Sequence, residues 1–189
     1  MRQTTHRRTA ALLPLLALAA CGLAAAGGAA AQGRPAAEGP RAARGPLAEV
    51  RGRRRVMLLT SRALVVDARD PALVALEDYR RALAGSPPRQ HNAAARQIAA
   101  RVNKHIRKYA TLTAAADARD ADLVLVFKVT AQRPSAIASQ PFVWGKMFAV
   151  AVSADGGPRV VWESRGDEEQ AETAADDFLK AFRAARGER

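Results

Sequence analysis

The sequence predicts an α/β fold, a single small sandwich of a mixed sheet with about three helices, in residues 56–189. Three observations carry that prediction. Leu123-Val124-Leu125-Val126-Phe127 is apolar on both faces of a strand, so it belongs at the centre of a sheet covered on both sides. Asn92 to Lys108 and Glu168 to Ala185 repeat apolar residues at helical spacing. The order of elements is strand, helices, two strands, loop, strand hairpin, helix, which suits helices layered on a sheet.

Val56-Met57-Leu58-Leu59 is the first strand, and Ala63 to Val66 would continue it or pair with it. Asp70-Pro71 then reads as a helix N-cap followed by proline at the first helical position. That helix runs through Leu73, Leu76, Tyr79 and Leu83 until Gly85-Ser86-Pro87-Pro88 stops it. In the second helix Ile98, Val102, Ile106 and Tyr109 form one face, with Arg96, Arg101, Lys104, Arg107 and Lys108 on the other side. Thr111-Leu112-Thr113 begins a strand, and 117–122 is a polar turn before the central strand. Gln132 to Pro141 reads as a loop. Lys146 to Val152 and Arg159 to Trp162 form a hairpin around Asp155-Gly156-Gly157-Pro158. The last helix buries Ala175, Phe178, Leu179 and Phe182. Acids at its start and Lys180, Arg183 and Arg186 towards its end complement the helix dipole.

The chain ahead of this domain has a different character. Met1 to Thr9 is polar and basic, Ala10 to Ala20 is apolar and uncharged, and small residues follow. That is the three-part order of a secretory signal peptide. Two cleavage sites compete. Leu18-Ala19-Ala20-Cys21 resembles a lipobox, whose cysteine would be lipidated and become the first mature residue, giving a signal of 1–20. Ala29-Ala30-Ala31 before Gln32 is an A-x-A site, giving a signal of 1–31. Cys21 is the only cysteine, so on either branch the exported chain has no intrachain disulfide and no free thiol. Residues 32–55 are rich in glycine, proline and arginine and read as a flexible linker.

The formal charge of +12 is unevenly spread. Residues 1–55 carry ten Lys/Arg and two acids, and residues 56–189 carry twenty and sixteen. Most of the basicity belongs to the signal and linker, so it argues against a nucleic-acid partner for the domain. The most basic stripe of the domain lies between Asp78 and Asp117, a span with eight Lys/Arg and no acid. Arg101, Lys104, Arg107 and Lys108 within it are the candidate residues for binding an anionic surface. The other reading is a solvated outer helix face.

No pattern for catalysis or a cofactor stands out. Asp117, Asp120 and Asp122 lack the alternating oxygens, glycine and distal glutamate of a calcium loop. His91 and His105 lie fourteen residues apart on the second helix, about 21 Å along its axis, too far to share a metal. No G-x-S-x-G, H-E-x-x-H or P-loop occurs. The expectation is no cofactor, no metal and no catalytic residue.

Ala121-Asp122-Leu123-Val124-Leu125-Val126, Val160-Val161-Trp162-Glu163 and Ala174-x-x-x-Phe178-x-x-x-Phe182 resemble the central strand, closing strand and final helix of small α/β domains in bacterial envelope lipoproteins. That group includes, at a distance, the N-terminal domain of the Tol-system propeller protein and the curli-secretion lipoprotein. Those domains often carry glycine after the central strand, where this chain has Phe127-Lys128. The resemblance implies an assembly or interaction module rather than an enzyme. The expectation is a non-enzymatic exported protein, periplasmic or anchored in the outer membrane and facing the periplasm, with an envelope protein as partner. The alternative is a binder of anionic lipid or glycan through the second helix. An enzyme with no recognisable motif is the third reading.

Overall fold

The computed structural model describes residues 42, 44–63, 70–135, 141–152 and 156–188. The chain forms an α/β fold with three α-helices and a mixed six-stranded sheet. Its elements are a 3₁₀ turn at Leu47–Val50, β1 at Arg55–Arg62, α1 at Pro71–Leu83, α2 at Asn92–Tyr109 and β2 at Thr113–Ala114. Then come β3 at Leu123–Arg133, β4 at Phe142–Val152, β5 at Pro158–Glu163, β6 at Glu169–Gln170 and α3 at Ala171–Arg186. The strand order is β2-β1-β3-β4-β5, with β6 paired to β4 beyond the end of β5. β1 pairs in parallel with β2 and β3, and the remaining pairs are antiparallel.

β3 occupies the centre, as its two-sided apolar run predicts. Its side chains alternate between two cores. Leu123, Leu125, Phe127 and Val129 pack with α2, α3 and Val50. Val124 and Val126 face α1 and pack with Leu59, Leu76, Tyr79 and Phe148. The sheet is thus the middle layer of three, with α1 on one face and α2 and α3 on the other.

Local chemistry sets the helix ends. Asp70 caps α1 by accepting from the Ala72 N–H at 3.0 Å, and Pro71 follows. Gly85, at φ 77°, closes α1, with its own N–H given to the Ala82 carbonyl and that of Ser86 to the Arg81 carbonyl. This reciprocal pair satisfies two last-turn carbonyls and needs a left-handed residue, which glycine adopts without penalty. At Gly145 the need is different. β3 carries an extra residue, Thr130, opposite it, and a Cβ on Gly145 would run into the Lys128 carbonyl.

Several boundaries differ from expectation. The fold begins before residue 56. Val50 is fully buried, Ala42 is 8% exposed, and Arg44 bridges Val160 on the outer edge of β5. The composition of 32–55 conceals this, because one valine and one alanine suffice to dock the segment. β3 runs on to Arg133 and β4 starts at Phe142, so the expected loop is shorter than Gln132 to Pro141. The first residues of the last expected helix pair instead with β4, as β6. The suggested strand at Ala63 to Val66 falls, beyond Ala63, outside the described residues.

Candidate functional site

Two surfaces gather charge. The first is the seam between α2 and α3. Arg101, Lys104, His105 and Lys108 of α2 face Asp176, Lys180 and Arg183 of α3 across an open groove of about 270 Å³. Arg101 does not act as a free cation here. Glu172 accepts a hydrogen bond from it, and Asp176 lies at 3.5 Å from its other terminal nitrogen. Its charge is spent within the domain, holding α2 to α3. Lys104, Arg107 and Lys108 are exposed. The Arg183 guanidinium stacks 4.2 Å from the Tyr109 ring centroid, with the Lys108 ammonium at 4.9 Å, so the tyrosine collects two cations. Lys108, against the effect of burial and with help from Arg183, holds the Tyr109 hydroxyl below its usual pKa.

His105 lies beneath this groove, 6% exposed, with its Nε2 3.1 Å from the Thr111 hydroxyl. Burial lowers its pKa and Arg183 lowers it further, with only Glu188 acting in the opposite sense. His91, expected on the same helix, is instead the N-cap of α2. Its Nδ1 accepts from the Ala94 N–H at 3.4 Å, so Nε2 carries the proton and donates to Gln132 Oε1 at 2.9 Å.

The second surface is a cavity of about 610 Å³ at the C-terminal end of β1, between α1 and the α1–α2 loop. Its floor is a closed polar triangle. Lys128 Nζ donates to Ser61 Oγ at 2.6 Å and to Asp78 Oδ2 at 2.5 Å. The Ser61 hydroxyl donates its own proton to Asp78 Oδ2 at 2.7 Å. The strands place these groups directly. Ser61 and Lys128 are register partners on β1 and β3, and both continue the rows that bury Leu59 and Val126 against α1. Asp78 meets them from α1. In this arrangement Lys128 gives a proton to Ser61 and does not accept one, which is the wrong direction for activating a serine nucleophile.

Around the cavity stand Arg62, Arg81 and Arg89, all exposed. None of the three has an ion pair with a carboxylate among the described residues. Arg44, Arg55, Arg101, Arg159 and Arg186 all do.

The expected acidic cluster is a turn. Asp117 accepts from the Arg119 N–H at 2.8 Å. Asp122 accepts from the N–H groups of Arg54 and Arg55 and anchors the start of β1. Cys21 lies outside the described residues. Ser61, Asp78, Lys128 and the three rim arginines went unseen in the sequence. The usable signal was a lysine at an inward position two residues after Val126, and an aspartate midway between buried Ala75 and Ala82.

Fold and surfaces together define a three-layer α/β domain with a cationic seam on one face and an arginine-rimmed cavity on the other. Comparison adds no relative to this description: no protein-family model, no curated protein and no solved structure matches the chain. Among the described residues no helix is long and apolar enough to cross a membrane.

Proposed function

We propose that this is a non-enzymatic, exported interaction module of the cell envelope, and that it docks on an anionic membrane surface through the α2–α3 seam. The observation that carries the reading is the grouping of Lys104, Lys108, Lys180 and Arg183 along one groove, where Asp176 is the one carboxylate among the described lining residues. Arg107 extends the same exposed face. Arg101 drops out of the binding set, because Glu172 and Asp176 hold it.

Docking through an open sheet edge has less support. Arg44 and Gly45 lie along β5, with the Gly45 N–H on the Val160 carbonyl at 2.9 Å. On the other side β2 covers the start of β1, while the Gln90 side chain and the His91 N–H occupy the backbone of Thr60. Covered edges are how sheets avoid accidental pairing. The signal-like segment at 1–31 supports export, and lipidation at Cys21 would hold the domain close to a bilayer. Mass spectrometry of the mature N-terminus tests that address: a lipidated Cys21 or a free Gln32 supports it, and a retained Met1 removes it.

The seam itself is tested by vesicle co-sedimentation. Wild type binds vesicles containing phosphatidylglycerol and not pure phosphatidylcholine, and added salt releases it. Each charge near such a surface contributes about 1 kcal/mol, so K104Q/R107Q/K108Q lowers partitioning by a factor on the order of 10². Equal binding by wild type and the triple variant overturns the reading. So does capture of an acidic envelope protein through these residues with no vesicle binding, which would make the partner a protein.

A further inference from the structure

We propose that the cavity at the end of β1 binds a small molecule through a phosphomonoester group. This inference is independent of the docking face, since the cavity opens beside α1 and the seam lies across the sheet.

The argument starts from charge. Among the described residues, four cations, Arg62, Arg81, Arg89 and Lys128, and two carboxylates, Glu77 and Asp78, line the cavity. Asp78 and Lys128 neutralise one another in the floor. Among the described lining residues, what faces the opening is three guanidinium groups and one carboxylate, Glu77, an excess of cations that suits a phosphomonoester dianion. Guanidinium is also the right donor, because its planar fork gives paired N–H bonds to phosphate oxygens. Arginines with no carboxylate partner among the described residues keep those forks available.

The second strand of the argument is the floor. A lysine–aspartate pair 7% and 6% exposed gains little over apolar residues of the same volume, because desolvation offsets most of its Coulomb attraction. The row it ends is otherwise apolar, with Leu59 and Val126 next in line. A polar floor gives a polar ligand hydrogen-bonding groups to rest on. Lys128 has a third N–H beyond the two given to Ser61 and Asp78. Asn92, the first residue of the 18-residue α2, lines the same wall and adds the positive end of a helix.

Size limits the ligand. About 610 Å³ falls within the range of small-molecule sites, and it exceeds what a bare phosphate ion needs. The ligand is therefore an organic phosphomonoester, either a free phosphorylated sugar or the headgroup of a phosphatidate-type lipid. Both carry the same dianion.

Calorimetric titration of the purified chain with glucose 1-phosphate, with glucose and with phosphatidic acid vesicles tests this. At least one phosphomonoester binds and neutral glucose does not. R81Q/R89Q weakens that binding by tenfold or more while its unfolding temperature without ligand stays at the wild-type value. K104Q/R107Q/K108Q, in the other surface, leaves glucose 1-phosphate binding unchanged. Binding of glucose 1-phosphate identifies a soluble ligand. Phosphatidic acid vesicles are read in the K104Q/R107Q/K108Q background, where the seam no longer holds an anionic surface: binding there without glucose 1-phosphate binding, lost when R81Q/R89Q is added, identifies a lipid headgroup. No binding of glucose 1-phosphate and none of phosphatidic acid in that background, or binding of either that R81Q/R89Q leaves intact there, overturns the proposal.

Discussion

Asp78 Oδ2 accepts hydrogen bonds from both Ser61 and Lys128, so each of the three groups has a partner in the other two. Removing one member and removing all three therefore have opposite consequences. Lys128→Met leaves the carboxylate buried beside a single hydroxyl and costs about 3–5 kcal/mol. Lys128→Met with Asp78→Leu and Ser61→Ala leaves no orphaned charge, and its stability returns to within about 1 kcal/mol of wild type. Urea unfolding midpoints separate the two cases. A Lys128→Met variant as stable as wild type would show that the pair carries no buried charge at all. A like-charge contact arises one strand further on. Lys146 lies directly opposite Lys128 in the β3–β4 register, and Asp167 takes it up at 2.7 Å.

Helix ends show the same logic over a longer range. The Asp70 carboxylate caps α1 through the Ala72 N–H, and it also accepts from the Ala42 N–H at 3.2 Å and from Arg44. One side chain thus starts a helix and pins the segment that covers β5. Asp70→Ala loses the cap, about 1 kcal/mol, and releases Ala42 and Arg44 as well. Asp70→Asn keeps much of the cap but loses the charge that holds Arg44. Hydrogen exchange at the Gly45 amide reports the second effect: it speeds up in Asp70→Ala more than the helix amides of α1 do. Equal acceleration everywhere would mean that Asp70 acts on the helix alone. α2 ends with more strain, on Ala110 at φ 50°, a left-handed conformation that favours glycine.

Over the whole domain, acid removes stability in two steps. His105 has a lowered pKa in the folded state, so the unfolded chain binds its proton first. The stability it contributes is present above its ordinary value of 6.5 and is lost as the pH falls below that point. Asp70 and Asp122 come later. Burial raises each carboxyl, but backbone N–H bonds, Ala42 and Ala72 for the first and Arg55 and Arg54 for the second, outweigh it with their arginine partners and lower the pKa. Their contribution is present above about 3.8 and disappears as the pH falls through the lower folded-state value. The unfolding temperature therefore declines below about pH 6.5 and falls again below about pH 4. His105→Gln removes the first decline and leaves the second. A variant that keeps both would place the first titration elsewhere.

The sequence by itself determined the fold class, because that information is periodic and local. Two-sided apolarity put β3 in the middle. Spacing of 3.6 found α2 and α3, Asp70-Pro71 opened α1, and a Gly-Gly-Pro turn joined β4 to β5. Its limit was the partner of each charge. Arg101 read as a free cation until α3 brought Glu172 and Asp176 against it, 71 and 75 residues away in the chain. Ser61, Asp78 and Lys128 looked like three unrelated polar residues until parallel pairing of β1 with β3 set two of them side by side beneath α1. Val50 and Ala42 sat in a stretch whose composition says linker. A pattern within one element shows which face is apolar. Which charge meets which, and where a cavity is left, depends on contacts between elements far apart in sequence, and only the tertiary structure decided those.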